Sequence, residues 1–216
     1  VEEPSSCGVR AEDRITDPAR LRRTVLVVAV LNFGYFFVQM SVALAIASVA
    51  LFADSVDFLE DTAVNLLIFV ALGWPLRRRS VLGKIMALLI VVPSLAAAWQ
   101  AIDKAGDPQP PAFWPLVLAS LGAIVINGIS AWLLARVRSH GGSLSRAAFV
   151  AARNDVLINV SIIVMAALTL WTGSGWPDII LGAGIILLAL YSAYEVWEVA
   201  EEERLAAKAL AGEALD

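Results

Sequence analysis

Six runs of about 20 continuously apolar residues recur along this chain, at approximately 24–45, 47–73, 82–102, 114–135, 147–171 and 178–199. Each is long enough to cross the hydrocarbon of a bilayer. None alternates apolar with polar residues as a membrane β-strand does, and backbone inside lipid must satisfy its own hydrogen bonds. The runs therefore predict an all-α polytopic membrane protein, a six-helix transmembrane bundle over residues 24–199. A hydrophobic share of 59% against 17% charged residues rules out an ordinary soluble domain.

Lysine and arginine set the orientation. Arg20, Arg22 and Arg23 precede span one, Arg77, Arg78, Arg79 and Lys84 surround the second loop, and Arg136, Arg138 and Arg146 flank the fourth. The opposite side carries Lys104. Both termini are thus expected in the cytoplasm, residues 1–23 as a tail and 200–216 as a short charged helix with no room for a second folded domain. Trp99, Trp114, Trp171 and Trp176 fall near outer span ends, Trp74 and Trp197 near inner ones, as interfacial aromatics do. The chain opens on about twenty polar residues, and no cleavable leader is expected from them. Pro93 lies mid-span and should bend span three. A single Cys, Cys7, excludes an internal disulfide, and His140 reads as a solvated loop residue.

Against this apolar background span two carries "ADSVDFLEDTAVN", residues 53–65. At 100° per residue Asp54, Asp57, Asp61 and Asn65 fall within about 80° of one another, while Glu60 lies on the flank. A carboxylate near the bilayer centre costs on the order of 2.5–3.5 kcal/mol, so such a row calls for protons or a bound cation. Span five has "AARNDVLIN", in which Ala151, Asp155 and Asn159 repeat every four residues. If spans two and five face each other, Asp57, Asp61 and Asp155 can converge as oxygen ligands of a divalent cation. Asn154, Asn159, Asn65 and Asp54, with Gln39 and Asn32 of span one, are further candidates for the metal shell or its pathway. The bland reading is that the acids pair with a base, for which the spans offer only Arg153, or that the amides join helices.

These residues resemble the cation diffusion facilitator (cation efflux) family. The likeness rests on "SVALFADSVDFLEDTAVNLL", on "INGISAWLLARVRSHGGSLSRAAFVAARNDVLINVSII" and on "GWPDIILGAGIILLALYSAYEVWE". It implies a homodimeric secondary transporter of the plasma membrane, not an enzyme, that exports divalent transition metals in exchange for protons. Members hold the ion between a four-spaced pair on span two, matched here by Asp57 and Asp61, and another on span five. Of the second pair Asp155 matches, but Ala151 stands where the family has His or Asp. Gln39 stands where many members have Glu, the second loop reads "PLRRRS" in place of an Asp/His cluster, and the family's cytoplasmic metal-sensing domain has no counterpart in these residues.

The resemblance places Zn2+, with Co2+ and Cd2+, ahead of Mn2+ and Fe2+, although a site without His turns toward the harder ions. No organic cofactor and no nucleic acid is expected; membrane lipid, protons and a second copy of the chain are. Neighbouring carboxylates in a low-dielectric cavity retain protons that an arriving cation expels, which would couple export to the proton gradient. The alternatives are a passive cation channel, a family member that binds metal without transporting it, and an intramembrane aspartyl hydrolase.

Overall fold

A computed structural model describes residues 18–71, 73–137 and 142–212. Cys7 and His140 lie outside the described residues. The described chain forms six helices and no strand: α1 (Pro18–Ile46), α2 (Val49–Ala71), α3 (Leu76–Gly106), α4 (Phe113–Ala135), α5 (Gly142–Thr172) and α6 (Trp176–Ala211). Five of them, all but α2, are long and apolar enough to cross a membrane by composition alone. Helix α2 falls short because of its four acids, yet it lies inside the bundle, in contact with α1, α3, α5 and α6. A helix whose polar groups face protein need not be apolar overall.

Helices α1, α2, α5 and α4 close a ring of neighbours, and α3 and α6 form a pair that packs on α2, with α6 also touching α5. At the end expected outside, called outer from here on, Val49, Leu51, Ala97, Leu116, Ile162 and Ile185 make one core cluster, and at the end expected in the cytoplasm Leu21, Val25, Ile68, Leu134 and Ala152 make another. The polar residues of α1, α2 and α5 lie between the two. Outside the ring, Val30, Val92, Leu118, Val164 and Leu187 are exposed, the pattern of a lipid-facing surface. Trp99, Trp114, Trp171 and Trp176, and at the other end Trp74 and Trp197, are exposed as well, in keeping with a place at the interfaces.

Helix α3 runs unbroken through Pro93, and the Ser94 hydroxyl donates to the Ile90 carbonyl (2.8 Å) beside the proline. The charged residues after span six do not form a separate element. Helix α6 continues through them for 36 residues in all, far more than the hydrocarbon needs at about 1.5 Å per residue. Its cytoplasmic extension is pinned to α3 by Lys84–Glu201 (2.5 Å) and by an Arg79–Glu203 pair.

At the outer end the turn from α1 to α2 is a single reversal. The Ser48 N–H donates to Ala43 O (3.1 Å) and the Ala47 N–H to Leu44 O (3.4 Å), closing α1 as a Schellman motif with Ala47 at φ 52°. Alanine in that left-handed region costs roughly 1–2 kcal/mol. An interaction that offsets this cost comes from α6. Asp178, fully buried, accepts from the Ser48 hydroxyl (2.7 Å) and from the N–H groups of Val49 (2.8 Å) and Ala50 (3.2 Å), the otherwise unpaired donors that open α2. Lys104 of α3 donates to the same carboxylate (2.8 Å) and to Ala47 O (2.6 Å). Gly182, one turn along α6, permits the approach: a Cβ there would lie 2.6 Å from Val49 Cγ1 and 2.7 Å from the Ala50 nitrogen. Three helices are thereby clasped around one carboxylate at the outer end.

Candidate metal site

Three of the ring helices supply the site. On α2, Asp54 and Asp61 are buried and Asp57 is half-buried, and all three lie on the face that the helical period predicts. On α5, Asp155 is half-buried and Asn159 fully buried. On α1, Asn32 and Gln39 are both fully buried.

These residues sort into two tiers. In the inner tier Asn32 Nδ2 donates to Asp61 Oδ2 (3.0 Å), and the Asp61 and Asp155 carboxyls approach within hydrogen-bonding reach. In the outer tier Gln39 Nε2 donates to Asp54 Oδ2 and Asn159 Nδ2 to Asp54 Oδ1 (3.1 Å). The tiers are two helical turns apart on α1 and α2, since Asn32 to Gln39 and Asp54 to Asp61 are each seven residues, about 10 Å at 1.5 Å per residue. On α5 they are one turn apart, and Asn159 Nδ2 also donates to the Asp155 carbonyl (3.0 Å). Asp57 lies between the tiers, with Asp54, Asp155 and Asp61 among its charged neighbours.

The structure thus joins Asp61 to Asp155, as spacing on the two helices allows, but does not gather all three proposed ligands. Among the described residues no group of three or more His, Cys, Asp or Glu side chains is close enough to hold a metal ion. Asn65 is buried on the predicted face, where its Nδ2 donates to its own helix at Asp61 O (2.8 Å). Asn154 is not brought to the site: it is exposed, one residue around the helix from Asp155, and its Oδ1 accepts from Arg153 (3.5 Å). Arg153 is exposed too, and the four ion pairs among the described residues lie elsewhere. Among the described residues, therefore, no base neutralises the intramembrane acids, which was the bland reading of their presence. Glu60 faces α6, where Ser192 is its hydrogen-bonding neighbour.

Chemically, two carboxyl groups as close as Asp61 and Asp155 cannot both be charged unless a proton or a cation lies between them. The oxygens on this ring of helices suit either occupant. Asn32 joins α1 to α2 through its bond to Asp61 and holds the inner acid; Ser130 of α4 in turn approaches Asn32 Oδ1 (3.5 Å). The signal that could have paired it with Asp61 is the matched seven-residue spacing on the two antiparallel helices.

Comparison with known proteins bears on the whole bundle. Residues 25–200 match the family model described as the cation efflux transmembrane domain. The chain is 28% identical over 185 residues to the Zinc transporter ZitB of Escherichia coli (strain K12), covering 80% of this chain and 59% of that protein. It is 25% identical over 195 residues to the Zinc transporter ZitB of Pectobacterium atrosepticum, covering 85% and 61%. A third relative is the Cadmium, cobalt and zinc/H(+)-K(+) antiporter of Bacillus subtilis (strain 168), 23% identical over 189 residues, with 81% and 60% covered. The chain spans about three fifths of the length of the curated relatives it matches.

Proposed function

Because this chain belongs to the cation efflux family, we propose that it exports divalent transition-metal cations across the plasma membrane in exchange for protons, by alternating access to Asp57, Asp61 and Asp155. The observation that carries the reading is the Asp61–Asp155 contact between α2 and α5, inside the ring of helices and with no ion pair to a base among the described residues. The names of the relatives support a metal cargo, with Zn2+, Cd2+ and Co2+ ahead of Mn2+ and Fe2+, and the antiporter among them supports H+ as the counter-substrate.

In the ion-free site protons stand between the carboxyls. A divalent cation entering from the cytoplasm takes their place, since two positive charges offset the mutual repulsion of the carboxylates better than one shared proton. Asn32 keeps Asp61 turned toward Asp155 throughout. Once the ring opens outward, external protons return to the carboxyls and the cation, losing its charged ligands, departs. The transport unit is taken as residues 24–199 and the working form as a homodimer.

Proton release on binding tests this. When the purified protein in detergent takes up Zn2+ in weakly buffered solution, the pH should fall, with one or more protons released per ion bound. The same titration of Asp155→Ala should release fewer protons and bind at least about tenfold more weakly, the usual scale for loss of a group that supports a metal. Binding by wild type without proton release would contradict the exchange mechanism.

A further inference from the structure

The two tiers differ in how their amide groups are used. In the inner tier Asn32 Oδ1 has a neighbour in Ser130. In the outer tier both amides spend their N–H groups on Asp54, and their carbonyl oxygens, Gln39 Oε1 and Asn159 Oδ1, are buried with no hydrogen-bond partner. A buried amide oxygen left unpaired is costly, and here two occur on residues that share one carboxylate. Asp54 itself uses one lone pair on each oxygen and retains the others. Three helices thus bring one carboxylate and two amides together, the amide nitrogens against the carboxylate; a half-turn of each amide about its last bond would set its unpaired oxygen there instead, with neither His nor Cys beside it.

We propose that Asp54, Gln39 and Asn159 form an outer cation station made only of oxygen, through which the exported ion passes after it leaves Asp61 and Asp155. The inference rests on the transport reading above. Asp57, between the tiers, is the bridge, since it neighbours both Asp54 and the inner pair. Its donor set favours a hard divalent ion. Carboxylate and amide oxygens suit Mn2+, whereas Zn2+ gains most from nitrogen and sulfur ligands in a tetrahedron. Asn159 and Asp155 occupy consecutive turns of α5, as Ala151 and Asp155 do one turn further in, so the ligand lost at Ala151 is replaced toward the outside. The consequence is a range of cargo extended to Mn2+.

Paired affinity measurements test the station. Mn2+ binding to the purified chain in micelles, followed by the electron paramagnetic resonance signal of the free ion, is compared with Zn2+ binding by indicator competition. Gln39→Leu and Asn159→Leu should weaken Mn2+ about tenfold or more and Zn2+ by less than about threefold, within the range seen on removing groups around a metal. Gln39→Glu, which keeps the size of the side chain and adds a charge, should tighten Mn2+ instead, a gain that a purely packing role does not produce. Parallel changes for the two ions, or no change in the leucine variants together with no gain in Gln39→Glu, overturn the station while leaving the transport reading intact. A wild type that binds neither ion overturns both.

Discussion

Ala151 faces the question of selectivity most directly, because it stands one turn from Asp155 toward the cytoplasmic end of α5 and is half-buried. If it borders the path to Asp61 and Asp155, Ala151→His adds an imidazole to an otherwise oxygen-only shell. Zinc affinity should then tighten by at least about tenfold, some 1.4 kcal/mol, with little gain for Mn2+. Unchanged zinc binding in a folded variant would show that this face of α5 is turned away from the ion. At this scale the sequence made the acids legible, since a carboxylate inside an apolar run is conspicuous without any structure. It did not reveal which oxygen takes which hydrogen. Asn154 and Asn159 looked alike as candidates, yet 100° of helix for each residue exposes the first and buries the second on Asp54.

Between elements, the outer clasp holds α2, α3 and α6 together on Asp178. The Lys104–Asp178 pair is buried, with side chains 8% and 0% exposed. Asp178→Ala removes the only charge facing Lys104 in the clasp and strands the first N–H groups of α2, and breaking a buried pair in this way costs about 3–5 kcal/mol. Lys104→Met leaves Asp178 on the Ser48 hydroxyl and two N–H groups of α2 and should cost less than half as much. Thermal unfolding of both variants in micelles checks the order; equal losses would mean that the helix cap adds nothing to the ion pair. Sequence patterning found all six helices, because span length and hydropathy follow directly from the bilayer. It missed the clasp. A lone acid at the start of an apolar run looks like an interfacial residue, and its partners on α2 lie about 130 positions away. The charged residues from 200 read as helical, and α6 carries its helix through them to Ala211; hydropathy falls at the membrane surface while the helical hydrogen bonds continue, so the pattern alone does not show that the two are one helix.

For the whole molecule, the helix that carries the intramembrane row of acids is the one that touches the most other helices, and its acids meet polar side chains of α1 and α5 between two apolar clusters. Such an arrangement can hold a charge inside a membrane while the clusters at either end keep it from leaking. The family assignment and the buried acid pair lead to one central claim, that metal and protons compete for Asp61 and Asp155. The most direct measurement is Zn2+ flux in proteoliposomes as a function of an imposed pH gradient, with wild type beside Asp61→Ala and Asp155→Ala. The account predicts that wild-type flux rises when protons are more concentrated on the side to which metal is delivered, and that both variants lose most of the flux and its dependence on pH. Flux that ignores the gradient, or that survives either substitution with its pH dependence unchanged, would contradict it.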